Sequence, residues 1–97
     1  MMVKFEDMLE LRKRVVELVN EDKVLIKWYH IRSCHDVQGH EVLNALRYGT
    51  LPKPDMKEEG RYVTWSRLTE DRVLIRVVFE VQKINGERLV VVTAFEE

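Results

Sequence analysis

Asn85-Gly86 sits between two runs of β-branched and aliphatic residues, 72–83 and 88–95. Asn-Gly flanked by such runs is the strongest short-range hairpin signal, because both residues tolerate the positive φ that a type I′ turn demands. A two-residue loop fixes the pairing. Ile84 then faces Glu87, Val81 faces Val90, Val78 faces Thr93 and Arg76 faces Phe95. Side chains alternate across a strand, so the register also assigns faces. Ile75, Val77, Phe79, Val81, Val90, Val92 and Ala94 make one wholly apolar face, the one that helices must cover. Arg76, Val78, Glu80, Gln82, Leu89, Val91, Thr93 and Phe95 make the other, which mixes charge, hydroxyl and aromatic ring.

The rest of the chain supplies the helices. Phe5, Met8, Leu11, Val15 and Leu18 recur at spacings of three and four, which predicts a helix over 5–20. Its acidic residues come early and its basic ones later, as the helix dipole prefers. Residues 23–32 contain Val24, Leu25, Ile26, Trp28, Tyr29 and Ile31 with no turn residue among them, and read as a strand. A connector over 33–38 leads to a second helix over 39–48, with Val42, Leu43, Ala45 and Leu46 as its apolar stripe and Gly49 at its end. Pro52, Pro54 and Gly60 bound a polar loop over 50–60, and a strand over 61–68 precedes the hairpin. The alternation does not say which face Trp65 joins. The expected architecture is α+β: two helices packed on one face of a mainly antiparallel four-stranded sheet, in the order α-β-α-β-β-β. The 97 residues form one domain, 1–97, with enough core to need no covalent staple.

Composition excludes several function classes. Sixteen Lys and Arg against seventeen Asp and Glu leave a net charge of −1, which argues against a strongly basic nucleic-acid coat protein. The excess acid is local: residues 1–22 carry Lys4, Arg12, Lys13 and Arg14 against Glu6, Asp7, Glu10, Glu17, Glu21 and Asp22. Cys34 is the sole cysteine, so no internal disulfide forms and a cytoplasmic location is expected. The first ten residues lack a signal-peptide layout, and the longest unbroken apolar run, 89–92, is far too short to span a membrane. A charged fraction of 34% with two Gln and three Asn is a thermophile-like composition.

Three sets of residues invite chemistry. Arg76 and Thr93 share the uncovered face, with Glu80 further along. A guanidinium beside a hydroxyl suits a phosphate, and an Arg–Glu pair on a solvated face is the plain structural alternative. His30 and Arg32 point to one side of an extended strand, where imidazole can exchange protons near neutral pH and guanidinium can hold a phosphate. The alternative is a His packed beside Trp28. His30, Cys34, His35 and His40 are all possible zinc ligands, but their spacing fits no common structural zinc pattern, so neither a metal nor another cofactor is expected.

Val42-x-x-Ala45-Leu46-x-x-Gly49, after a strand ending near His30, then Arg76-Val77-Val78-Phe79 and Val91-Val92-Thr93-Ala94-Phe95, resembles a family of small domains of unknown function. That family is grouped with the RelE/barnase/EndoU/colicin-like nucleases. The resemblance spans residues 24–95. It implies a RelE/barnase-like fold and an RNA-directed, toxin-type role, with metal-independent endoribonuclease chemistry in which a 2′-hydroxyl attacks the adjacent phosphate. On that reading His30 is the acid or base, Arg76 and Arg32 clamp phosphate, Thr93 donates to it, Glu80 is an alternative base and Phe95 contacts RNA. Residues 31–34 do not reproduce the family's Ala-x-x-Arg-Met stretch, and Phe95 stands where many members carry Tyr. The partners implied are RNA and an antitoxin-like protein. The competing reading is a non-catalytic module of the same fold that binds a partner helix or a second copy of itself, through Val78, Val91 and Phe95.

Overall fold

The computed structural model describes residues 2–27, 38–67 and 74–96. They form, in chain order, β1 (Met2–Val3), α1 (Met8–Asn20), β2 (Val24–Ile26), α2 (Gly39–Tyr48), β3 (Lys53–Pro54), β4 (Arg61–Trp65), β5 (Ile75–Lys83) and β6 (Glu87–Glu96). No helix among them is long and apolar enough to cross a membrane.

Capping chemistry sets the helix ends. The Asp7 carboxylate accepts from the Leu9 N–H at 2.9 Å and starts α1 at Met8, three residues later than the apolar spacing predicts. Phe5 is drawn away instead: its N–H donates to the Tyr62 hydroxyl at 2.7 Å. At the other end Asp22 takes φ 58°, and the Lys23 N–H returns to the Leu18 carbonyl at 2.9 Å. For α2 the expected bounds hold. Glu41 accepts from the Gln38 N–H at 3.0 Å at the start, and the Gly49 N–H donates to the Ala45 carbonyl at 2.8 Å at the end. Gly49 has φ −73°, so its need for glycine is spatial: a Cβ there would run into the carbonyl oxygens of Ala45 and Trp65.

The sheet is larger than expected and mixed. The path runs β2-β6-β5-β4-β3, and β1 pairs with β5 beyond the end of β4. All six elements predicted from sequence are present; the two additional ones, β1 and β3, are two-residue strands, too short for periodicity to reveal. β2 runs parallel to β6, with Leu25 opposite Val90, and every other pair is antiparallel. Of the strand predicted over 23–32, Val24–Ile26 pairs, and residues 28–32 lie outside the described part. The three strands predicted over 61–95 are present, with β4 ending at Trp65, short of the predicted 61–68.

The hairpin register is corrected in its inner half. Asn85 and Gly86 take φ 54° and 100°, as the turn chemistry requires. The ladder, however, opens at Lys83 opposite Glu87, leaving Ile84, Asn85 and Gly86 outside it. Val81 therefore faces Leu89, not Val90, and Glu80 faces Val90. Between Val78 and Phe79 a bulge absorbs Val92, and beyond it Val78 faces Thr93 and Arg76 faces Phe95 as predicted. The correction exchanges faces in the first half of β6. Leu89 and Val91 point to the helices, both fully buried, and Val90 joins the other face.

α1 and α2 cover that inner face. Leu11, Val15 and Leu18 from α1 and Val42, Ala45 and Leu46 from α2 pack with Val77, Phe79, Val81, Leu89 and Val91 in one cluster. Each large side chain buried there contributes about 1.5–3 kcal/mol of hydrophobic stabilisation. The Arg14 guanidinium donates to Glu87 at 2.7 Å and ties α1 to the start of β6; that bond raises the Arg14 pKa above its usual value, against the opposing effect of burial.

Candidate functional site

Residues directly opposite one another in a sheet share a face, so the pairings lay out the face turned away from the helices in rows. The first row is Trp65–Arg76–Phe95. The second is Lys53–Val63–Val78–Thr93. The third is Arg61–Glu80–Val90–Leu25. Trp65, unassigned by sequence, thus lies on this face beside Arg76.

Arg76 is the centre of the first row. Its guanidinium carbon lies 5.9 Å from the Trp65 ring centroid and 5.4 Å from that of Phe95, within cation–π range of both. Its Nε is buried and makes no hydrogen bond. A buried, unpaired donor on a charged group is costly and calls for an acceptor. The rings fix the side chain where that donor is held ready. Thr93 stands diagonally across the ladder, one row along from Arg76 on the same face, with Val78 as its direct partner. The structure thus brings Arg76, Thr93 and Phe95 together on one patch.

A cleft of about 400 Å³ opens beside them. Val63, 3% exposed, and Trp65 supply its apolar lining; Lys53, Lys57 and Arg76 supply positive charge, and Met56 overhangs it. Among the described residues Asp55 is its one carboxylate. Three cations against one acid make this a locally positive site in a chain of net charge −1. Lys53 and Lys57 read from sequence only as local positive charge in the later chain, and neither they nor Met56 and Trp65 carried an expected site role. The loop that carries the first three has no periodicity, and Arg61-Tyr62-Val63-Thr64-Trp65 has no clean alternation, so only the pairing of β4 with β5 reveals them.

Glu80 belongs elsewhere. It lies two rows, or four residues, along β5 from Arg76, about 13 Å at the usual strand rise. It is 5% exposed, and both of its oxygens are engaged: Arg61 Nε donates to one at 3.4 Å and Gln82 Nε2 to the other at 2.7 Å. That arrangement holds β4 to β5. His30 and Arg32 lie outside the described residues, as do Cys34 and His35. Among the described residues no group of three His, Cys, Asp or Glu is placed to hold a metal ion.

A second cavity, of about 450 Å³, lies under the N-terminal segment, between Phe5, Tyr62 and the loop over 54–60. Lys4 bonds Glu59 at 2.7 Å across it and holds the Glu59 carboxyl below the usual glutamate range. Pro54, Asp55 and Met56 line both cavities and so form the wall between them. Comparison with protein-family models, with curated proteins and with solved structures finds no match to this chain.

Proposed function

We propose that this protein interacts with RNA through the open sheet face, in the manner of the RelE-like nucleases that its sequence resembles. The observation that carries the reading is Arg76, a cation with an unsatisfied buried donor, flanked by Trp65 and Phe95, with Thr93 in the neighbouring row of the same face. Guanidinium groups take phosphate oxygens, and exposed aromatic rings take unpaired bases. Arg76 and Thr93 are the phosphate contacts on this reading, with Phe95 on the sugar or base.

Cleavage on this reading follows the metal-independent route: the 2′-oxygen, giving up its proton to a base, attacks the adjacent phosphorus, the 5′-oxygen leaves, and cations steady the charge on phosphorus. The base falls to His30 and a second clamp to Arg32, since Glu80 is held by Arg61 and Gln82. Labelled single-stranded RNA, titrated at a series of salt concentrations, tests the binding claim. Binding weakens as salt rises, with a logarithmic slope of about −0.7 per phosphate contacted. Arg76→Ala lowers affinity about tenfold, the loss of one charged hydrogen bond, and His30→Ala removes cleavage while binding persists. Wild-type protein that leaves RNA unbound at low salt overturns the proposal.

A docking surface for an antitoxin-like protein or a second copy is the competing reading. It draws on Leu25, 58% exposed at the end of the third row, and Met2, 39% exposed opposite Gln82. Sedimentation of the pure chain separates the two: a dimer that Leu25→Asp dissociates favours it.

A further inference from the structure

We infer that the cleft beside Arg76 is a one-nucleotide pocket, which takes an unpaired nucleobase against Trp65 and Val63 and its phosphate on Lys53, Lys57 and Arg76. The inference rests on the RNA reading and narrows it to a place and a ligand.

Size comes first. About 400 Å³ is near the lower end of small-molecule sites and suits one nucleotide. It does not suit a duplex, whose stacked bases present no free ring face and whose grooves are read by shape. Chemistry comes second. A site for bare phosphate has no use for an apolar floor, yet Val63 is buried at the base of this cleft and the Trp65 ring borders it. A site for an apolar ligand has no use for three cations, yet Lys53, Lys57 and Arg76 surround it. Only a ligand with a flat ring at one end and an anion at the other satisfies both halves. Met56, 97% exposed on the overhanging loop, is an unbranched, polarisable side chain suited to closing over rings of different size.

Placement is the third point. Lys53 has its backbone set by pairing opposite Val63, so its side chain starts from the sheet at the cleft's edge. Lys57 rides on the loop, where its N–H is held by the Asp55 carboxylate at 3.1 Å. Arg76 enters from the sheet, between its rings. The three charges therefore come from β3, the loop after it and β5, and border one cleft together with Trp65.

The test uses the full chain and three probes: adenosine 5′-monophosphate, adenosine and inorganic phosphate. Trp28→Phe makes Trp65 the sole tryptophan reporter. The monophosphate is expected to bind about tenfold or more tightly than either half alone and to quench Trp65. Trp65→Leu is expected to weaken it about tenfold, in the range of one stacked base. Lys53→Gln with Lys57→Gln weakens the monophosphate and leaves adenosine unchanged. Should Trp65→Leu fail to fold, the lysine pair, on exposed positions, still decides. Phosphate that binds as tightly as the monophosphate, with the lysine pair or Trp65→Leu making no difference to either, overturns the pocket. That result leaves the phosphate-contact reading of Arg76 standing. Single-stranded RNA that fails to bind at all overturns the wider reading.

Discussion

Arg76 shows what a strand position means once its neighbours across the sheet are known. From sequence it is one charged residue on the mixed face of a strand; with Trp65 on one side and Phe95 on the other it becomes a positioned donor. Its partnership with Phe95 was legible because two departures cancel. The turn holds one residue more than two-residue chemistry implies, and the bulge at Val92 returns the count before Arg76 is reached. Trp65 was not legible, since its face depends on a pairing that local pattern does not encode. Glu80 was legible as to face but not as to role, because the Arg61 that claims it comes from a different strand. The Lys4–Glu59 contact has a signature of its own. Lys4 holds the Glu59 carboxyl down, by a charged hydrogen bond first and by charge second. A depressed carboxyl lends stability above its unfolded pKa and loses it as pH falls through the folded value. Here both groups are exposed, so the effect is small and screened by salt. Lys4→Gln is expected to move the Glu59 titration midpoint upward, toward the ordinary glutamate value, as followed by carboxyl chemical shifts. An unchanged midpoint counts against the contact.

Elements divide by where their ends are written. α2 was legible to the residue because its limits are local: a Gln38–Glu41 contact before it and a glycine after it. α1 began later than its apolar spacing implied, because Tyr62, far along the chain, takes the backbone of Phe5. The end of α2 is also a junction. Arg67 Nε donates to the Tyr48 carbonyl at 3.0 Å, Arg12 donates to that of Gly49, and the Thr50 N–H reaches the Trp65 carbonyl at 2.8 Å. Two cations thus meet the carbonyls of a helix C-terminus, the favourable sense of its dipole, and the same strand end carries Trp65 into the cleft. Gly49→Ala places a methyl against two backbone oxygens with nowhere to yield. A loss of about 2–3 kcal/mol is expected in urea unfolding, the scale of overpacking at a rigid site, together with weakened RNA binding through Trp65. Gly86→Ala serves as a contrast: it has open space around it, so its cost is that of positive φ alone.

At the scale of the molecule, charge and core are separated. The helices and the inner sheet face share one continuous apolar cluster, while Lys53, Lys57 and Arg76 gather around a cleft on the opposite side. A chain whose net charge is −1 thereby presents a positive patch without becoming a general binder of phosphate backbones. The core spans every main element, so no part of it can melt alone. Unfolding is expected to be a single transition with calorimetric and van't Hoff enthalpies equal; two resolved steps would contradict this. The α+β class was legible from the period of each segment. The six-stranded, mixed sheet was not, because strand order and direction are set by contacts between distant segments. The bulge at Val92 gives this molecule a spare count. A strand is a parity code, in which odd and even places read opposite sides, and the run Leu89-Val90-Val91-Val92 is apolar at both parities. Deleting Val92 removes the unpaired place and leaves every remaining partner on the side it already occupies. The shortened chain is therefore expected to keep Thr93 opposite Val78 and Leu89 opposite Val81, as cross-strand nuclear Overhauser contacts would show: the fold can lose a letter here without losing the message.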